Sequence, residues 1–468
     1  MKLTRPIRCR LAEGGEQGGL RRSLALVTVA GSLAMIFSTA ISSPATTDFF
    51  RYLGASDVQF GLLAGIPMVM LLMQFPGALL ANRLRARKRI FIVLTILSRL
   101  VYVLIALLPL LFPRVPGARL VALMVLLLAA SNATANLITP LWFSWMGDLI
   151  PRRRLNSYWG RRYVWMQLAW VAAYVGLWAF TYFVHMPIQK AFIWISVVGC
   201  LAGVTDIALF TWVREPENML SEDERVWDSV AEPWRDEVYR KFVVFNCAWT
   251  AATMVGAAFM QVYVLKVLEL SVWRTILIWC MCGLGSVVSA AAWGRLADRH
   301  GNRPVLVFCL FFKPLIVVVF LLLTRQMATV VLSVAFFFDS MLNAGMSVAT
   351  NGYMLKLAPR ENRSMFVAAI SGLAGVCGGV AALAAGWFLQ WTAGFAWEGF
   401  GRTWNNYQLL FAISIVLRVA CIPLGRRVRE PKSLGTAKLL TELTGVWPLR
   451  ILLFPVGLYR SMRRNGEK

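Results

Sequence analysis

The chain has 468 residues, 58% of them hydrophobic and 15% charged, with a mean hydropathy of +0.63. Soluble domains are about half apolar and about a quarter charged, so a soluble fold is excluded, and the charges here stand in clusters between apolar runs. A formal net charge of +25 would suggest nucleic acid in a soluble protein. In a chain of this kind it reads as basic loops that orient transmembrane helices, and no nucleic-acid partner is expected.

Twelve apolar runs are long enough to cross a hydrocarbon layer of ~30 Å as helices. In chain order they lie near 24–46, 60–81, 90–112, 119–146, 164–185, 191–213, 241–265, 274–297, 304–324, 328–355, 365–390 and 407–425. The first run follows Arg21 and Arg22 and ends in small residues around Ser42–Ala45, so a secretory leader is one reading. A retained first span is the better one, because the internal repeat needs it as a partner. Loops carrying Arg83, Arg85, Arg87, Lys88 and Arg89, then Arg152, Arg153, Arg154, Arg161 and Arg162, alternate with loops far poorer in basic residues. The basic set, which continues with Arg299, Arg303, Lys356, Arg360 and Arg363, is expected in the cytoplasm together with both termini.

Little in the sequence supports chemistry. The eight cysteines are scattered without metal-ligand spacing, and His185 and His300 are the two histidines. A zinc site, a histidine-based catalytic site and a nucleophile elbow are all missing, so the chain reads as neither an enzyme nor the carrier of a cofactor.

The segment Val213-Arg214-Glu215-Pro216 closes the sixth span, and Val428-Arg429-Glu430-Pro431 closes the twelfth. Other landmarks recur at nearly the same offset. "LLANRLRARKR" (79–89) follows span 2, and "RLADRHGNR" (295–303) follows span 8; "DLIPRRRLNSYWGRR" (148–162) follows span 4, and "KLAPRENRSMF" (356–366) follows span 10. Arg99 and Lys313 each stand ten residues past the last arginine of such a loop. Six spans per copy give two parallel repeats. The "VREP" segments read as boundary marks, with arginine at the membrane surface and proline stopping the helix.

The run Gly294-Arg295-Leu296-Ala297-Asp298-Arg299-His300-Gly301-Asn302-Arg303 resembles the loop signature G-x-L-A-D-R-x-G-x-R/K of the major facilitator superfamily. The first-half copy departs from it, with Ala78 for the first glycine, Asn82 for the aspartate, followed by Arg83, and Arg85 for the second glycine. The resemblance covers roughly residues 20–430. It implies an all-α membrane fold of twelve helices in two six-helix lobes, a central cavity and transport by alternating access.

The expected organisation is a basic N-terminus (1–23), an N-terminal lobe (24–213), a charged linker (214–240), a C-terminal lobe (241–431) and a tail (432–468) with an interfacial segment. In the signature, Gly294 would allow close helix approach. Asp298 could pair with an arginine and latch the lobes, whereas Asn82 keeps the hydrogen bonds without the charge.

Charges inside a membrane are expensive and mark function by default. Arg99, Asp206, Lys313 and Arg418 fall within spans. Arg99 and Asp206 are close enough in depth to pair. Lys313 and Arg418 have no obvious carboxylate on neighbouring outer spans and could reach Asp339, backbone carbonyls or the interface.

The resemblance makes spans 1, 4, 7 and 10 the cavity walls. There Asn132 and Asn136, and Asp339 and Asn343, repeat one helical turn apart, with Asn246 and Gln261 on span 7. Such amides can hold a polar solute or join helices. Trp142 and Trp145 are candidates for stacking on it.

The expected function is transport of a small molecule, with a coupling proton or sodium ion as candidate co-substrate and Asp339 as the candidate coupling carboxylate. The protein is expected as a monomer in the lipid bilayer of a plasma membrane, in bacterial style the inner one. A sensor or scaffold that binds without transporting is the alternative.

Overall fold

A computed structural model describes residues 5–84, 86–150, 155–216, 234–357, 363–399 and 402–428. Among them twelve helices are long and apolar enough to cross a membrane. They are α1 (Gly19–Tyr52), α2 (Asp57–Ala81), α3 (Lys88–Leu111), α4 (Gly117–Leu149), α5 (Arg161–Phe183), α6 (Ile188–Trp212), α7 (Glu237–Lys266), α8 (Val272–His300), α9 (Asn302–Leu322), α10 (Ala328–Met354), α11 (Met365–Trp391) and α12 (Asn406–Arg427). Each sits on one of the twelve sequence runs. In lipid a backbone must satisfy its own hydrogen bonds, and helices do so within one segment.

The turns have local causes. Ser56 and Gln59 form a capping box at the start of α2, and Asn405 and Gln408 form another at the start of α12. Gly301 ends α8 with φ +92°, a backbone region that L side chains avoid, and this accounts for the second glycine of the loop signature. A short hairpin of β1 (Ala396–Gly399) and β2 (Arg402–Asn405) joins α11 to α12.

The chain forms two compact units. One holds residues 1–49 and 73–224, the other 50–72 and 225–468. The break therefore falls inside the charged linker, and the first half of α2 groups with the second unit. The core of the first unit gathers Val27, Phe91, Trp145, Met146, Tyr158 and Phe210. That of the second gathers Phe242, Phe245, Trp293, Phe308, Tyr353 and Phe366.

In the second unit α2 meets α11 backbone to backbone. A Cβ on Gly61 would stand 2.8 Å from the Ala382 carbonyl oxygen, and one on Gly65 2.7 Å from that of Gly379. Glycines allow this closeness. The seam ends in a polar knot, where Asp57 Oδ1 accepts from Lys266 Nζ at 2.9 Å and from the Tyr407 hydroxyl at 2.7 Å.

The middle of the linker (217–233) and the tail (429–468, with Glu430 and Pro431) lie outside the described residues.

Candidate functional site

In the first unit, α3 brings Arg99 to Asp206 of α6, with Nη2 to Oδ2 at 2.9 Å and Asp206 only 1% exposed. The guanidinium also lies over the Phe37 ring of α1, 4.4 Å from its centroid. Gly203 makes the room, since a Cβ there would stand 2.7 Å from Arg99 Nη1. The pair anticipated from depth alone is formed, as a buried internal contact.

In the second unit, α9 carries Lys313, buried to 4%. Its Nζ donates to Asp339 Oδ1 at 3.0 Å and to Asn343 Oδ1 at 2.6 Å. Asn343 Nδ2 donates to Asp339 Oδ2 at 2.7 Å, which closes a three-membered ring of polar side chains on α9 and α10. Arg418 of α12 is 2% exposed. It donates through Nη2 to the Thr253 carbonyl of α7 at 3.3 Å and feels the Asp339 charge. Asp339 is thus the ion-pair partner of Lys313, while Arg418 is held by a backbone carbonyl.

The polar face of α10 extends beyond the two residues expected. Asn343, Ser347 and Asn351 are all exposed and follow Asp339 at intervals of four residues, on one helix face. Ser347 and Asn351 were not singled out from sequence, although the four-residue spacing was there to read.

The other candidates divide. Asn132 and Asn136 of α4 are half-buried; each donates to the carbonyl four residues earlier, and Asn136 accepts from Gln74 Nε2 at 3.2 Å. In this structure Asn136 therefore joins α2 to α4. Asn246 is buried and donates to Phe242 O at 2.8 Å, so it does not present its amide to open space. Gln261 is half-buried, past a break in α7 at Ala258–Phe259. Trp145 is fully buried and donates to the Arg214 carbonyl at 3.0 Å, which makes it packing rather than a stacking platform.

The loop signature also needs correction. Among the described residues nothing lies within 4 Å of a Cβ placed on Gly294, so that glycine is not where helices close up. Tight glycines near it include Gly285, against Phe337 and Ser340, Gly345, against Trp293 and Cys309, and Gly352, against Asn302 of the signature itself. Asp298 is exposed in the last turn of α8, without an ion pair among the described residues. Exposed Arg299 follows it, and Arg303 donates to the Arg426 carbonyl at 2.9 Å. The side chains of Asn82 and Arg83 lie outside the described residues.

"VREP" does more than stop a helix. Glu215 Oε1 accepts the backbone N–H groups of Arg87 at 2.6 Å and Lys88 at 2.9 Å, capping the N-terminus of α3 with a carboxylate. Arg87, fully buried, reaches Ser144 Oγ at 2.7 Å and Asp148 at 2.9 Å on α4. The segment clasps the ends of α3, α4 and α6 together. Its exact recurrence was the available signal.

The profile of the Major Facilitator Superfamily matches residues 28–382 and 277–466, and the chain belongs to that superfamily. Solved structures agree in fold at low identity. A point mutant of the nucleoside transporter NupG is 10% identical, with a TM-score of 0.67 over 87% of this chain and 100% of that one. The xylose transporter XylE from E. coli in a partially occluded inward-open conformation is 14% identical, with a TM-score of 0.64 over 89% and 100%. A bacterial homologue of the human lysosomal transporter Spinster, inward-facing and occupied, is 14% identical, with a TM-score of 0.58 over 94% and 96%. No curated protein sequence matches the chain significantly.

Proposed function

We propose that the protein carries a small polar solute across a membrane by alternating access, with the polar face of α10 as a wall that the solute touches. One observation carries this reading. Asn343, Ser347 and Asn351 are exposed along a helix apolar enough to span, and the stripe begins at an ion pair whose cation is buried. Polar side chains do not face lipid without cost, so an exposed polar stripe belongs to a watered route.

On α4, Asn132 and Asn136 remain candidates for solute contact, Asn136 once its bond to Gln74 is exchanged. A proton or sodium ion is the candidate co-substrate and Asp339 the candidate coupling group, because its partner Lys313 would be released when the carboxylate is neutralised. The protein acts as a monomer in a plasma membrane, in a bacterium the inner one, with the basic loops in the cytoplasm.

The test is a thermal-unfolding screen of the purified protein against sugars, nucleosides, amino acids, organic anions and lipophilic cations. A ligand that binds the folded state raises the midpoint with saturation. Its effect is expected to vanish in Asn343→Ala, and the same solute is expected to move into proteoliposomes. A hit that binds without flux would turn the reading toward a sensor.

A further inference from the structure

The membrane-level cations described so far have protein partners: Arg99 has Asp206, Lys313 has Asp339, and Arg418 has the Thr253 carbonyl. Arg162 differs. It stands in the first turn of α5, on a helix whose turns already begin at Leu155. The sequence reads it as a loop charge, but the structure puts it inside the first unit.

Its guanidinium lies beside two indoles that pack on each other edge to face, 5.1 Å from the Trp142 centroid of α4 and 5.2 Å from that of Trp159, with the two rings 5.7 Å apart. Against α1 it fills the space left by Gly31, where a Cβ would stand 2.7 Å from Nη2. Its buried Nε has no hydrogen-bond partner, and among the described residues no carboxylate or carbonyl accepts from the group. Tyr158 lies in its surroundings, and that hydroxyl is spent on Leu24 O at 3.1 Å.

Three helices therefore build a seat for a cation and leave its donors unused. Indole faces attract the charge but do not accept its N–H groups in the way an oxygen pair does. A guanidinium fork matches a carboxylate or phosphate through two parallel bonds, and flanking indoles suit an apolar or planar body.

We infer that Arg162, beside the paired rings of Trp142 and Trp159, is an anion-binding site, and that the transported solute is a small organic anion: a carboxylate or phosphate on an apolar or planar frame. The inference rests on the transport reading and adds the class of substrate to it. The competing role is that of a basic anchor, for which any cation at 162 would serve.

The test compares charged probes with neutral analogues on the full-length protein in detergent. Benzoate is set against benzamide, and glycerol 3-phosphate against glycerol, by isothermal titration and thermal shift. The anions are expected to bind and the neutral analogues not. Arg162→Gln is expected to weaken anion binding about 10- to 100-fold, and Arg162→Lys, which keeps the charge and serves as the folded control, less. Gly31→Val, which fills the guanidinium's seat, is expected to weaken it too.

Equal binding of benzamide, no binding of either anion to the wild type, or unchanged affinity in Arg162→Gln would each overturn the assignment. A phosphatidylglycerol response that depends on Arg162, without one to the soluble anions, would make the ligand a lipid headgroup and overturn the solute assignment. Proteoliposome uptake of a neutral solute, unaffected by Arg162→Gln, would overturn it while leaving the transport reading in place.

Discussion

Removing Asp339 tests the charge arrangement of the second unit most directly. In Asp339→Ala, Lys313 keeps a single acceptor, the Asn343 oxygen at 2.6 Å, and Arg418 loses the carboxylate whose charge it feels. The side chain of Lys313 is 5% exposed and that of Asp339 19%, so water compensates little. Breaking one side of a buried pair costs about 3–5 kcal/mol, because the remaining charge is stranded. Replacing both members with apolar groups is close to neutral.

The expected order of stability follows. Asp339→Ala falls furthest. Lys313→Met falls less, since Asp339 is partly wetted and keeps Asn343 and the Arg418 field. The double variant Lys313→Met/Asp339→Ala recovers most of the loss. The assay is thermal unfolding of the four proteins in one detergent, read as a double-mutant cycle. At ~2–4 °C per kcal/mol the single loss is of order 10 °C. A double variant as unstable as Asp339→Ala would refute the reasoning, because the damage would then lie in packing and not in a stranded cation.

Three further outcomes follow from particular contacts. Arg99→Ala leaves Asp206, 1% exposed, without its cation, and a loss of about 3–5 kcal/mol is expected, with Asp206→Asn milder; thermal unfolding measures both, and equal losses would contradict the stranded-charge account. Glu215→Ala removes two charge-assisted hydrogen bonds from the start of α3 and is expected to cost about 1–3 kcal/mol and to speed amide exchange at residues 87–90; unchanged exchange there would remove its role as a cap. Gly65→Val places methyl groups where the Gly379 carbonyl stands 2.7 Å from a Cβ, so exchange across residues 57–72 is expected to rise, and an unaltered profile would mean that the seam tolerates bulk.

The spans were legible because apolar length is a physical requirement of the bilayer, and nothing within the chain overrides it. The pair of Arg99 and Asp206 was legible from depth, since both lie within two turns of one another along the membrane normal. Partners that depend on helix rotation were not. Lys313 turns to α10, and neither hydropathy nor spacing says which flank of α9 it leaves from. Asn246 has the composition of a cavity wall and the burial of a core residue. Glu215 and Arg162 sat within readings that fit them as surface charges. Only their neighbours, the open N-terminus of α3 for one and a glycine and two indoles for the other, distinguish them from solvated groups.

The two copies of the repeat carry different charge arrangements. The two "VREP" copies are 215 residues apart, which matches Gly203 with Arg418 and Asp206 with Cys421, while Arg99 matches Lys313 across a one-residue slip. In the first unit, the cation of α3 enters the space over Gly203 and finds Asp206 beside it. In the second unit the position matched to Gly203 is Arg418, and the position matched to Asp206 is Cys421, buried to 4%. Lys313 has no anion on α12, so it turns to Asp339 on α10. The counter-charge of the second unit thus stands on α10, the helix with the exposed polar face. If this is why the arrangements differ, Cys421→Asp should restore a carboxylate on α12 and rescue Asp339→Ala toward wild-type stability. The rescued protein should lose solute transport, because the ion pair would again be sealed away from α10. Thermal unfolding and proteoliposome uptake read the two effects separately. A Cys421→Asp/Asp339→Ala protein no more stable than Asp339→Ala would show that the equivalence of the two helices does not extend to their charge positions.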